Sequence, residues 1–342
     1  QGRAKILDPW TVEITAEDGS SSRLTTRAIC IATGAAPFVP KLPGLDAVGY
    51  LTSDTLWADF SMRDTIPKRI AVLGGGPIGC ELSQALQRLG AEVTQVELMD
   101  RLLVREDAEV STAAEASLMA DGVKVLTGHK AIACELRNGE KLLLTECGGL
   151  KREVAFDALI VAVGRVARLS GFGLEELGIP AQRVVETNDY LETLYPNIVA
   201  AGDVAGPYQF THAAGHQGWH AAVNALFGRF KRFKVSYAAM PAVTFLDPEI
   251  ARVGLNEAEA KAKGIAYEVT HYGIDDLDRA IADGKAHGFV KVLTVPGKDR
   301  ILGATIVGEQ AGELLAEFTL AMRHGLGLNA ILSTIHAYPT MM

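Results

Sequence analysis

Short runs in which apolar and polar residues alternate open the chain: residues 10–14 and 28–32 read as strands, with Glu17-Asp-Gly-Ser20 as a turn between them. A loop carrying Pro37, Pro40, Pro43 and Gly44 follows, and Pro67 precedes the apolar run 70–73, which puts a boundary near residue 62. Beyond it the period lengthens. A strand at 70–73, a helix at 78–89, a strand at 92–96 and a helix at 106–120 alternate as in a parallel α/β sheet, and hairpin-like segments lead to a strand at 158–163. After Arg168 the pattern loosens until an apolar strand that ends in Gly202 and Asp203, followed by an alanine-rich helix at 211–227. From about residue 236 strands at 242–246, 251–253, 267–272, 289–294 and 301–307 precede a helix at 311–324, the mixture of a separate α+β domain.

One internal echo stands out. Ala28-Ile-Cys-Ile-Ala-Thr-Gly34 and Ala158-Leu-Ile-Val-Ala-Val-Gly164 are each a strand that ends in a glycine. The second copy ends 90 residues after Gly74, the head of a glycine-rich turn, so a duplicated architecture would put the first copy's turn upstream of Gln1. A chance match of so short a pattern is the alternative.

Composition narrows the partners. At 48% hydrophobic and 22% charged, the 342 residues suffice for two or three domains with cores of their own. The longest apolar runs are strand-length, far short of the roughly 20 residues that span a bilayer, so no membrane is expected. A net charge of −8 argues against a nucleic-acid partner, and the basic run at 229–234 reads as a solvated loop. The cysteines Cys30, Cys80, Cys134 and Cys147 have neither CxxC nor CxxxxC spacing. They fit a reducing cytoplasm, offer no metal site and read as small buried hydrophobes. With no apolar leader after Gln1 and no polar tail after Thr340, both ends read as cut.

The chemistry concentrates in Val72-Leu-Gly-Gly-Gly-Pro-Ile-Gly-Cys-Glu-Leu82. Gly74, Gly76 and Gly79 have the GxGxxG spacing between a strand and a helix, and Glu97 ends the next strand at the distance a dinucleotide-binding βαβ unit requires. The glycines let a pyrophosphate approach the backbone, where the helix N-terminus favours its charge. A carboxylate at Glu97 can bond both ribose hydroxyls of NAD but opposes the 2′-phosphate of NADP. Two like charges about 4 Å apart at an effective dielectric near 20 repel by about 4 kcal/mol. Arg101 and Arg105 lie close enough in sequence to blunt that repulsion, so NAD is expected to be preferred and NADP weakened rather than excluded.

Taken in order, Ala32-Thr-Gly34 with Pro37, the stretch Gly74 to Glu81, Gly164 with Arg165, Ala201-Gly-Asp-Val204 and His336-Ala-Tyr-Pro-Thr340 resemble the FAD-dependent pyridine nucleotide-disulfide oxidoreductases, in particular their mercuric-ion-reductase-like branch. The resemblance runs over essentially the whole chain and explains the echo as paired FAD and NAD domains. It implies an α/β fold of two Rossmann-like nucleotide-binding domains, the FAD one incomplete, and a C-terminal α+β dimerisation domain. The divisions it implies are 1–62 with 166–235 for FAD, 63–165 for NAD(P), and 236–342 for a dimerisation domain truncated at its end. By that resemblance Gly74, Gly76, Gly79, Glu97 and Gly164 serve NAD. Thr33 and Gly34 lie along FAD, Gly202 and Asp203 meet its ribityl and pyrophosphate region, and His212 with Ala213 open a helix aimed at the flavin. Glu81 and Tyr338 are the implied catalytic pair. Taken singly, Asp203 also reads as a loop or capping acid, His212 as a buried polar residue, Glu81 as an exposed first-turn acid and Tyr338 as a packing aromatic.

The chain departs from the family in three places. The first glycine fingerprint and the CxxxxC pair of its amino-terminal third are missing, and the Pro-Asn expected shortly after Gly164-Arg165 is Ala167-Arg168. Tyr338 stands where other members carry a histidine base. An unperturbed phenol has a pKa near 10 against about 6.5 for imidazole, so about one in a thousand is ionised at neutral pH. His336 matches a non-catalytic position. The implied function is a cytoplasmic homodimer that passes hydride from NADH to FAD and on to a cysteine pair outside this chain, with a small-molecule, disulfide or metal-ion acceptor. The alternatives are a soluble transhydrogenase-like or dihydrolipoyl-dehydrogenase-like enzyme and a non-catalytic NAD-binding dimerisation fragment.

Overall fold

In the computed structural model, which describes residues 2–341, the apolar runs become a parallel sheet. The strands Ala158–Val161, Arg69–Leu73, Glu92–Val96 and Lys124–Leu126 lie side by side in that order, all parallel. Ala158–Val161 is buried throughout and Arg69–Leu73 from its second residue on, the continuous apolar pattern of a sheet covered on both faces. The helices Pro77–Arg88 and Ala108–Ala120 make the crossovers. An antiparallel sheet of Lys130–Arg137, Glu140–Cys147 and Leu150–Phe156 intervenes before the last parallel strand.

The chain divides into two compact units, 1–36 with 165–237 and 37–164 with 238–342. The boundary expected near residue 62 therefore falls at 36/37. The cause is burial: Leu45 and Val48 pack with Leu73, Val96, Phe156 and Leu159, Leu56 packs with Ile70, Val72 and Ile160, and Leu51 bridges to Ile160. By contact, the C-terminal segment falls in the same compact unit as the parallel sheet. Its antiparallel sheet runs Pro241–Thr244, Glu249–Gly254, Ile301–Gly308, Phe289–Thr294, Glu268–Gly273. Alternate residues of this sheet serve two cores. Ala251 and Ile306 join Leu315 and Ala321 of the helix Ala311–Arg323, while their neighbours Ile250 and Val307 join the core of the parallel module.

In the other unit, Gly2–Asp8, Thr11–Ala16 and Ser21–Thr25 form an antiparallel sheet, and Ile29–Ile31 pairs in parallel with Ile198–Ala200. Its core gathers Ile6, Ile29, Ile31, Leu174, Ile198 and Ala200. Ala213, Gln217, His220, Ala221 and Asn224 are the buried stripe of the helix Thr211–Phe227. Among the described residues no helix is long and apolar enough to cross a membrane.

The alternating pattern of Phe289–Thr294 would send Lys291 to solvent, yet its side chain is only 2% exposed. Its ammonium meets Asp107 at 2.5 Å, Glu257 at 3.3 Å and Glu109. Burial opposes the charge, but Asp107 and Glu109 more than offset it and hold Lys291 above the ordinary lysine value. Asp107 also accepts from the backbone N–H groups of Glu257 and Ala258, so one carboxylate ties the start of Ala108–Ala120 to the helix Glu257–Ala262. Removing one member of such a buried set leaves uncompensated charge. Lys291→Met is expected to cost about 3 kcal/mol in chemical denaturation, and a variant as stable as the parent would remove this cluster from the stability account.

Candidate functional site

The strand Arg69–Leu73 leaves the sheet through Gly74, whose φ of 121° is open to glycine. A Cβ there would stand 2.4 Å from the Ala162 carbonyl oxygen, and one at Gly79 would stand 2.1 Å from that of Gly74. The outer glycines are thus demanded by backbone packing. At Gly76 a Cβ would meet nothing within 4 Å, which leaves open space on that side of the turn. Gly76 is the N-cap of Pro77–Arg88 and supplies no side-chain cap, so the helix N-terminus opens onto that space. The fourth expected glycine participant, Gly164, follows Ala158–Val161 of the same sheet with φ 120°.

The fold brings Glu97 onto this turn. Its carboxylate accepts from the Gly75 N–H and, at 2.7 Å, from the Met99 N–H. Arg101 is not hydrogen-bonded to that carboxylate. Its guanidinium donates to the carbonyls of Glu106 and Val104 and to the Ser111 hydroxyl, because the loop 101–107 folds back on itself. Gln95, buried on the preceding strand, donates to the Gly74 carbonyl at 3.0 Å and braces the turn. Sequence reasoning passed over it, although a polar residue in the middle of a buried strand was the available signal.

Glu81 lies one turn further along the helix, half-buried, and accepts from the Phe245 N–H at 2.9 Å. Burial raises its pKa and the Phe245 bond opposes the rise. It is therefore not the freely exposed first-turn acid of the simplest reading.

The second constellation lies in the other unit, around a cleft of about 600 Å³ lined by Cys30, Ala32, Gly34, Arg165, Gly202, Asp203 and Thr211 among others. The parallel strands Ile29–Ile31 and Ile198–Ala200 both point into it and both turn on left-handed glycines, Gly34 at φ 68° and Gly202 at φ 82°. Space beside Gly34 is open. Thr33 donates to the Arg168 carbonyl at 3.1 Å, and Arg165 donates to the Ala35 carbonyl with its Nε 4.0 Å from Asp203. His212 and Ala213 fall in the first turn of Thr211–Phe227, which has no side-chain cap. Ala213 is buried, whereas His212 is exposed and stacked on Phe210 with centroids 5.2 Å apart. That corrects the reading of His212 as a buried polar residue.

Gln217 was missed by the sequence reading. Fully buried, it accepts from the Gly202 N–H at 2.6 Å and donates to the Gly206 carbonyl at 2.6 Å and the Tyr237 hydroxyl at 2.7 Å. It pins the turn carrying Gly202 and Asp203 to the helix behind it. A glutamine four residues after the buried Ala213 and four before Ala221, on the apolar stripe of an alanine-rich helix, was the signal.

Tyr338 is 79% exposed and donates to Asp278 at 2.7 Å, while His336 is bonded to Glu317 at 2.7 Å. None of the four cysteines forms a disulfide, but Cys30 and Cys147 are not the buried hydrophobes expected, being exposed and half-buried. Burial pushes the Cys80 thiol up to about 12 and Cys134 to about 11, which disqualifies both as thiolates at neutral pH.

Residues 2–218 match the sequence model of the pyridine nucleotide-disulphide oxidoreductases, and residues 240–342 match that of the family's dimerisation domain. Over its whole length the chain is 34% identical to mercuric reductase of Staphylococcus aureus, of which it spans 61%. It is 35% identical to dihydrolipoyl dehydrogenase of Thermus scotoductus, of which it spans 72%. LpdA of Mycobacterium tuberculosis superposes with a TM-score of 0.88 at 28% identity, over 99% of this chain and 74% of that one. The HOCl-induced flavoprotein disulfide reductase RclA of Escherichia coli superposes with a TM-score of 0.87 at 25% identity, over 99% and 76% of the two chains.

Two measurements check the geometry. Glu97→Arg should move the ratio of NADPH to NADH affinity upward by at least about tenfold, since it replaces repulsion of a 2′-phosphate with attraction; an unchanged ratio would remove Glu97 from the ribose site. Gln217→Leu strands the Gly202 N–H and the Gly206 carbonyl, and should cost about 2 kcal/mol or more in denaturation. A neutral effect would mean that water replaces the amide.

Proposed function

Because this chain belongs to the pyridine nucleotide-disulphide oxidoreductase family, we propose that it is the larger part of a mercuric-reductase-like, flavin-dependent NAD(P)H oxidoreductase. The observation that carries the reading is the glycine turn, with its cradle at Gly76 and the Glu97 carboxylate laid against it. NADH is the preferred nucleotide, its pyrophosphate over Gly74, Gly76 and Gly79, its adenosine ribose on Glu97, and Gly164 at the opposite strand end.

The cleft beside Gly34 and Gly202 suits FAD. Its strand ends carry no bulk, its helix N-terminus is uncapped, and Asp203 with Arg165 offers both an acceptor and a cation. Thr33, Gly34, Gly202 and Asp203 would hold the chain of the cofactor, and the first turn at His212 and Ala213 would stabilise negative charge on its ring. Bound FAD supplies a two-electron acceptor for hydride. Glu81, fixed by the Phe245 N–H, orients the nicotinamide, and Tyr338 meets the final acceptor.

The chain spans 61% of its Staphylococcus aureus relative, and on this reading the cysteine pair that passes electrons to the acceptor lies outside it. The acceptor is a disulfide, a metal ion or another small molecule. The match of residues 240–342 to a dimerisation domain supports a homodimer, and four thiols in no disulfide suit the cytoplasm. The test is a visible spectrum of the purified chain mixed with FAD, before and after NADH is added without oxygen. The expected result is a bound flavin band that bleaches. Bound flavin that NADH leaves unbleached overturns the reading, and NADH binding without bound flavin makes the chain a nucleotide-binding and dimerisation fragment.

A further inference from the structure

The loop after Glu97 returns to the glycine turn, where the Leu103 N–H donates to the Gly75 carbonyl at 2.8 Å. The peptide that links Gly75 to Gly76 is planar and trans, so its C=O and N–H point opposite ways. With the carbonyl held by Leu103, the Gly76 N–H is aimed away from the loop, and it meets no acceptor among the described residues. Where Leu103 stands therefore sets the direction of that donor.

Leu103 has to be held. Its φ of 47° is a left-handed conformation that a leucine keeps only where its surroundings impose it. Arg101 imposes it from inside the loop. Its Nη1 donates to the Glu106 carbonyl at 2.9 Å and to the Ser111 hydroxyl at 3.2 Å, and its Nη2 donates to the Val104 carbonyl at 3.1 Å. The Glu106 N–H in turn donates to the Leu103 carbonyl at 2.8 Å and closes the turn. The C-terminal segment fixes the far end: the Asn256 amide donates to the Arg105 carbonyl at 2.8 Å, and Arg252 pairs with the Glu106 carboxylate at 2.7 Å.

We propose that Arg101 is a positioning residue for the pyrophosphate of the dinucleotide: its three bonds hold the loop 101–106 so that Leu103 fixes the peptide between Gly75 and Gly76 with its N–H towards the ligand. The contribution of Arg101 is geometric, and its charge is not what the nucleotide reads. Lysine keeps the charge but lacks the planar fork that spans two carbonyls and a hydroxyl. The inference rests on placing the pyrophosphate over Gly74, Gly76 and Gly79.

The experiment is a fluorescence titration of the purified chain with NADH and with NADPH, in the parent, Arg101→Lys and Arg101→Met, each shown by circular dichroism to be folded. Both variants should bind both nucleotides about tenfold more weakly, with the ratio of the two affinities unchanged. Adenosine, which carries no phosphate, should compete equally well in all three. A parent that binds neither nucleotide overturns the placement of the pyrophosphate and this inference with it. With a parent that binds, three results overturn this inference alone: parental affinity in Arg101→Lys, a loss confined to NADPH in Arg101→Met, which would report charge on the 2′-phosphate, or adenosine weakened in step with the dinucleotides, which would report general distortion.

Should the variants fail to fold, amide hydrogen exchange in the parent carries the test. Because the coupling is reciprocal, saturating ADP-ribose should slow exchange of the Leu103 N–H about tenfold more than that of the strand Phe289–Thr294. Equal slowing overturns the proposal.

Discussion

Backbone meeting backbone at the first turn of the parallel sheet is the constraint on which the parallel-sheet unit depends. Gly74 lies against the Ala162 carbonyl and Gly79 against the Gly74 carbonyl at separations that no Cβ could share. Those two approaches set how closely the helix Pro77–Arg88 sits on its sheet, and that distance is what lets Glu97 reach the Gly75 N–H from the end of the neighbouring strand. Gly76 is unlike its neighbours in the motif, because no packing demands it. Its side of the turn is open, with nothing within 4 Å of where a Cβ would stand.

Polar groups then fix what the apolar cores leave adjustable. Gln95 holds the glycine turn from below, and Gln217 does the corresponding work for the turn at Gly202 in the other unit. Around Asp107, a buried ammonium and two backbone N–H groups converge on one carboxylate, joining the loop after the strand Glu92–Val96 to the C-terminal antiparallel sheet. Arg252 extends the link through Glu106 at 2.7 Å. Such groups are costly to bury singly and stable only as a satisfied set, so they specify one arrangement of the packed layers.

Much of this was legible beforehand. The helix expected at 78–89 is Pro77–Arg88, the strand at 92–96 is Glu92–Val96, the helix at 211–227 is Thr211–Phe227, and the strand at 289–294 is Phe289–Thr294. Periodicity, glycine spacing and turn residues act over a few positions, so the chain itself carries them. The pairing of a GxGxxG turn with an acid at the end of the next strand is local in the same sense, and Glu97 was found that way.

What lay beyond reach depends on partners distant in sequence. Residues 37–62 join the unit of the parallel sheet because Leu45, Val48 and Leu56 find their apolar neighbours there. Arg101 donates its hydrogen bonds within its own loop, Lys291 is buried among three carboxylates, and Tyr338 donates a hydrogen bond to Asp278. The sequence by itself determined the elements, the glycine turn and the acid that answers it, since propensity and spacing are properties of neighbouring residues. Only the tertiary structure decided which charges are neutralised and which face outward, because a side chain's partner is chosen by the packing that brings remote segments within a few ångströms.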